Sequence, residues 1–199
     1  MSKLVYGVGI NDRSRPAGVD GKIVKEYDLW KSMLKRCFSE NCQNKQPTYK
    51  GCNVSDNFLH YSFFYDWCQE QVGFGKVDEN GRCWQLDKDL LLIGNKTYSE
   101  TACVFVPHEI NSFFTDKGNA RGEYPLGVSF NKRDGKFQAS CTVNSKLQHL
   151  GLFNTPEEAF AVYKPFKETL CKELALKWKD EIDHCVYEAM MKWEVDYET

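Results

Sequence analysis

The sequence predicts an α+β fold. A helical N-terminal region holds a strand–turn–strand–helix unit; a three-stranded antiparallel sheet packed on a helix follows, then a long C-terminal helix. Three observations lead there. Two early stretches repeat large apolar residues at helical spacing: Tyr27, Trp30, Leu34 and Cys37, then Phe58, Tyr61, Phe64 and Trp67. Residues 85–114 read as an apolar run around Asp87 and Asp89, the turn Ile93-Gly94-Asn95-Lys96, a second run at 103–106, and a helix opened by Pro107. Residues 126–131, 136–143 and 147–153 alternate or cluster as strands around two polar turns, ahead of a strong helix start at Thr155.

In chain order, residues 1–21 are polar and glycine-containing. Val5, Val8 and Ile10 could add an edge strand, and the rest reads as an exposed, mobile arm whose Arg13 and Arg15 are candidate phosphate contacts. Residues 25–38 form an amphipathic helix with Lys31, Lys35 and Arg36 on a solvated face. Residues 41–53, with Pro47 and Gly51 as breakers, read as a loop that tucks Tyr49 and Cys52 onto the core. Ser55 is an N-cap for a second helix to about Val72, whose aromatics are core and whose His60 is a boundary histidine. The connector 73–82 has Gly73 and Gly75 two apart, Gly81 later, and no following helix, so it is no nucleotide-binding fingerprint.

Residues 115–123 read as a linker, giving domains at 1–120, 121–164 and 165–199. Thr155, Pro156 and Glu158 supply an N-cap, a first-turn proline and a capping-box glutamate. Pro165 is expected to break or kink that helix. Beyond it Phe166, Leu170, Leu174, Trp178, Ile182 and Trp193 make one apolar stripe. This last helix is expected to pack on the first domain or to form a homodimer, with Glu194, Asp196 and Glu198 as a solubilising end.

The chain has 199 residues, 42% of them hydrophobic, with 13 Phe, 10 Tyr and 5 Trp, which is enough for a packed core and argues against disorder. No apolar run approaches membrane-spanning length, and Met1-Ser2-Lys3 leads into no signal-peptide core, so a non-secreted, non-membrane protein is expected. The 9 cysteines include no C-x-x-C pair and read as reduced, mostly buried thiols; Cys37, Cys42 and Cys52 are spaced too loosely to favour zinc. A net charge of −2 hides an uneven distribution: zero over residues 1–120, +4 over 121–179 and −6 over 180–199. The middle segment can therefore face a polyanion.

Leu86-Asp87-Lys88-Asp89, Gly94-Asn95, Tyr98-Ser99, Cys103 and Phe105 resemble the ββα-metal core of HNH endonucleases, in the degenerate version common among bacteriophage homing-type proteins. That resemblance implies a metal-dependent DNA endonuclease acting in the cytoplasm of a bacterial host. It assigns His108, Asp87 and Lys88 to catalysis, and Asp87, Asp89 and His108 to Mg2+ or another divalent metal. Active members carry a histidine base after the first aspartate, where this chain has Lys88; a protonated lysine can hold phosphate but cannot deprotonate water unless its pKa is strongly depressed.

Gly127-Val128, Gly135-Lys136-Phe137, Ala139, Leu150-Gly151, Phe153, Thr155, Glu157-Glu158-Ala159 and Tyr163 resemble the plant ethylene-response-factor (Apetala-two) DNA-binding domain, a module also fused to phage HNH nucleases. Strand period turns Phe137, Ala139, Cys141 and Val143 to the helix. It leaves Ser129, Asn131, Gln138, Ser140, Thr142 and His149 on the outer face that in that family enters the major groove. Lys132, Arg133, Lys136 and Lys146 at the turns supply phosphate contacts. Three readings stay open: an endonuclease on double-stranded DNA, an inactive DNA-binding regulator, and a protein-binding inhibitor of a host factor.

Overall fold

The structure, a computed structural model, describes residues 4–115, 123–143 and 146–197. Among these the fold is mixed α+β, with six α-helices and several small sheets, one of them three-stranded and antiparallel. No helix among them is long and apolar enough to cross a membrane. The chain forms two compact units: Met1–Ser112 with Glu181–Val186, and Phe113–Asp180 with Tyr187–Thr199. The expected linker falls largely on residues 116–122, outside the described residues.

The first unit is organised by helix α1 (Lys25–Phe38), which buries Trp30, Met33, Leu34 and Cys37 as the spacing predicts. Trp30 Nε1 donates to the Phe58 carbonyl at 2.7 Å, satisfying the ring's one polar atom. The segment before α1 is not a mobile arm. Ile10 N–H donates to the Leu59 carbonyl (2.8 Å), and Tyr61 N–H to the Ile10 carbonyl (2.9 Å). Arg15 grips Asp66 through Nε and Nη2 at 2.6 and 2.8 Å, so it is committed within the chain rather than offered to phosphate. A Cβ on Gly9 would run into Leu34 and Trp30; only glycine lets this segment lie on α1. Strands β1 (Gly18–Val19) and β2 (Lys22–Ile23) then lead into α1.

This docking also breaks the helix expected over 55–72. His60 is held extended (φ −93, ψ 118) by the bridge to Ile10, leaving a 3-10 turn at Asn57–Leu59 and helix α3 (Tyr61–Glu70). Before it, where a loop was expected, Ser39 caps a short helix α2 (Glu40–Lys45), and strand β3 is Asn53–Val54. Helix α2 buries nothing, so no apolar stripe announces it. The strand expected over 85–92 is shorter: β4 is Gln85–Asp87. It pairs antiparallel with β6 (Val104–Val106), and helix α4 (His108–Phe114) follows. Between them β5 (Thr97–Tyr98) pairs in parallel with β3.

In the second unit, β7 (Val128–Asn131), β8 (Lys136–Val143) and β9 (Lys146–Phe153) form the three-stranded sheet, backed by α5 (Pro156–Trp178). Ala139 and Cys141 meet Ala159, Phe160 and Tyr163 in its core. Thr155 Oγ1 accepts the Glu158 N–H at 3.2 Å, and Glu158 Oε2 accepts the Asn154 N–H at 3.0 Å. At Gly127 (φ +76) a Cβ would overlap the Tyr163 ring, which is why the strand can approach α5 so closely. Pro165 neither ends nor interrupts α5. It is exposed, as is Ala161, whose carbonyl it leaves without a helical partner, so water can satisfy that group. The long C-terminal helix is instead two: α5 ends at Trp178, and Asp183 Oδ1 accepts the Cys185 N–H (2.9 Å) at the start of α6 (His184–Lys192). The acidic tail does more than solubilise. Val195 joins the sheet core, its N–H donating to Glu168 Oε1 (3.0 Å) and its carbonyl accepting from Lys164 Nζ (2.8 Å).

Candidate nucleic-acid interface and hairpin site

The outer face of the sheet is mostly polar, carries the exposed Leu147 and Leu152, and is flanked by cations. Registers Asn131↔Lys136, Ser129↔Gln138 and Gln138↔Leu152 form rows across it, followed by Ser140↔His149 and Thr142↔Leu147. A bulge between Ala139 and Ser140 skips Leu150, which packs into the core, and turns His149 outward. Without that extra residue His149 would share the face of Gly151 and Phe153. Lys132, Arg133, Lys136 and Lys146 are all exposed, at opposite ends of β8. Arg133 Nε lies 3.1 Å from Asp134, and Asn131 Oδ1 accepts the N–H groups of Arg133 and Asp134 at 3.1 and 3.3 Å. Asn131 therefore shapes the turn as well as lying on the face. The two residues after β8, Asn144 and Ser145, lie outside the described residues.

The hairpin gathers its predicted residues around a turn. Asp87 Oδ1 accepts the N–H groups of Asp89 and Leu90, each at 2.8 Å. Burial pushes the Asp87 carboxyl above its ordinary value, against the pull of those two amides. Lys88, only 6% exposed, forms an ion pair with Asp89, donates to the Asn95 carbonyl at 2.9 Å and lies 5.6 Å from the Tyr98 ring centroid. His108 heads α4, with Nε2 3.2 Å from Ser112 Oγ. Asn111 Nδ2 donates to Gln85 Oε1 at 2.6 Å, tying helix to strand.

Asp87 thus spends one carboxylate oxygen on backbone amides, and Asp89 is taken by an ammonium. In this arrangement the carboxylates assigned to a metal serve the turn, and among the described residues no three His, Cys, Asp or Glu side chains come together as ligands. All nine cysteines are free thiols; Cys37 and Cys103 are pushed up to about 12 by burial.

Sequence reasoning missed two groups at this site. Asn95 was read as turn chemistry only, yet its Nδ2 donates to the carbonyls of Lys88 (2.7 Å) and Thr97 (2.8 Å) and closes the loop. Arg36, assigned to a solvated face, reaches Tyr98 Oη at 3.3 Å and stacks 5.5 Å from the Tyr49 ring centroid. Its place beside the buried Cys37 was the available signal. No protein-family model, curated protein or solved structure matches the chain.

Proposed function

We propose that the chain is a duplex-DNA-binding protein of the phage HNH homing class, holding DNA against the outer face of β7–β9. The observation that carries this is the row of short polar side chains, exposed Ser129, Thr142 and His149 with half-buried Gln138 and Ser140, bounded by four exposed cations. Such side chains can hydrogen-bond base edges, while the cations take phosphates. In this reading the sheet and α5 stand for the Apetala-two-like module, and β4, β6 and α4 for the ββα core.

The engaged Lys88 and Asp87 favour binding without cleavage. A second reading, metal-dependent nicking, draws support from one observation: the Asn111–Gln85 bond joins helix and strand in the order that core requires. Gel shifts on random-sequence duplex at low salt test the first; an absence of binding refutes it and leaves a protein-binding role. Gln138→Ala is expected to cost about 1–3 kcal/mol at a preferred site only. Plasmid nicking that needs a divalent metal, and is lost in both His108→Ala and Asp87→Ala, would establish the second.

A further inference from the structure

Two leucines interrupt the polar outer face of the sheet. Leu147 and Leu152 on β9 are 70% and 38% exposed. Both stand on that face because they pair directly with Thr142 and Gln138, whose strand neighbours Ala139 and Cys141 are buried against α5. Each leucine therefore lies about 4.5–5.5 Å, Cβ to Cβ, from a polar side chain able to bond a base edge. Ser129 pairs with Gln138 from the other side, so Ser129, Gln138 and Leu152 make one row across all three strands. Among the described residues, no hydrogen-bond partner takes up the Gln138 amide.

What can cover this face is set by the charge of the whole sheet. From Val128 to Phe153, both turns included, the chain carries Lys132, Arg133, Lys136 and Lys146 against one acid, Asp134. That carboxylate is engaged by Arg133 Nε at 3.1 Å and by Asn131 Nδ2 at 2.9 Å. Ahead of the sheet the next acid is the exposed Glu123. After it come Glu157, which accepts the Tyr197 hydroxyl, and Glu158, which accepts the Asn154 N–H, on the helix that packs against the opposite face. A cationic sheet with mixed polar and aliphatic side chains suits the major groove of duplex DNA. There every base pair shows hydrogen-bonding groups, and thymine alone adds a C5-methyl. Gln is a side chain that bonds adenine N6 and N7 together, and apolar side chains read the thymine methyl.

We propose that this face reads A·T pairs, Leu147 and Leu152 packing on thymine C5-methyl groups while Gln138 bonds the adenine edge. The inference rests on the DNA-binding reading and names the base pairs that it selects. It also separates DNA from RNA, since uracil lacks the methyl and the major groove of A-form RNA is too deep and narrow to be read. The probes are labelled poly(dA-dT) and poly(dA-dU) duplexes, which share phosphates and minor-groove edges and differ in that methyl. They are titrated with the full chain by anisotropy at one salt concentration. Binding to the uracil polymer is expected to be about fourfold weaker for one methyl contact and about fifteenfold weaker for two, from the transfer free energy of a buried methyl. Leu147→Ser/Leu152→Ser should bind the two polymers equally, match the native chain on a poly(dG-dC) duplex, and keep the native melting temperature. Leu176→Ser, at an exposed leucine on α5, should retain the full preference. Equal affinity of the native chain for both polymers overturns the methyl reading and leaves DNA binding standing, whatever the stability of the variant. A preference that survives the double substitution overturns the assignment to these leucines. An absence of binding to any duplex overturns this inference and the DNA-binding reading together.

Discussion

If the sheet holds phosphates through its end cations, salt dependence counts them. Lys132, Lys136 and Lys146 are exposed with no ion pair among the described residues, and Arg133 is partly offset by Asp134. Three to four contacts predict a slope of log affinity on log salt of about −2.7 to −3.6. Between 50 and 200 mM salt, affinity should then fall by roughly 40- to 150-fold. Lys136→Ala/Lys146→Ala removes two contacts, flattening the slope by about 1.8 and weakening binding to every sequence alike. Anisotropy titrations of a labelled duplex across that range provide the readout. A slope unchanged by the double substitution would place the phosphates elsewhere and refute the assignment of this face.

Other outcomes follow from the same geometry. Gly127→Ala places a methyl against Tyr163 at positive φ, and should destabilise by about 2–4 kcal/mol in urea unfolding. Asp87→Asn keeps the acceptor for Asp89 and Leu90 but removes a carboxylate whose charged form burial disfavours. A raised folded-state pKa means the charged form costs stability at neutral pH, so the variant should melt higher there. Its advantage should shrink as pH falls through the raised value towards 3.8, and an advantage constant with pH would contradict the burial argument. On the proposed HNH reading, Lys88→His would supply the histidine that active members of that class carry and should introduce Mg2+-dependent plasmid nicking; an inert variant would count against an HNH origin for the hairpin.

Legibility in the sequence tracked how local each signal was. Helix α1, the three sheet strands and the Thr155 cap are written in spacing and turn residues a few positions apart, and they form within one or two residues of the expected bounds. What was missed depends on distant partners. Nothing near His60 says that Ile10, fifty residues earlier, will take its neighbours' backbone groups and interrupt a helix. Nothing in an acidic tail says that Val195 fills the sheet core. Pro165 shows the converse: it does not end α5, because the helix is held by the packing of its other face. At the hairpin the residue types were legible, but their use was not, because a carboxylate two residues before a turn can cap amides or hold an ion with the same spelling.

Lys88 shows how far that ambiguity reaches into function. An ion pair between a buried lysine and a half-exposed carboxylate contributes little net stability. Yet this ammonium joins Asp89 to the Asn95 carbonyl and lies over Tyr98, so it fixes the path of the 88–95 loop. A general base must keep a nitrogen lone pair open to water, whereas an ammonium has three donors and no acceptor. On the proposed HNH reading, the residue that replaces the base is therefore suited to holding the loop and unsuited to activating a nucleophile. A histidine there has a shorter reach and could not hold both Asp89 and Asn95 in the same way. Lys88→His should accordingly loosen the 88–95 loop even if it introduces nicking, and amide hydrogen exchange at Asn95 should be faster in the variant than in the native chain; unchanged exchange would refute a role for Lys88 in holding the loop.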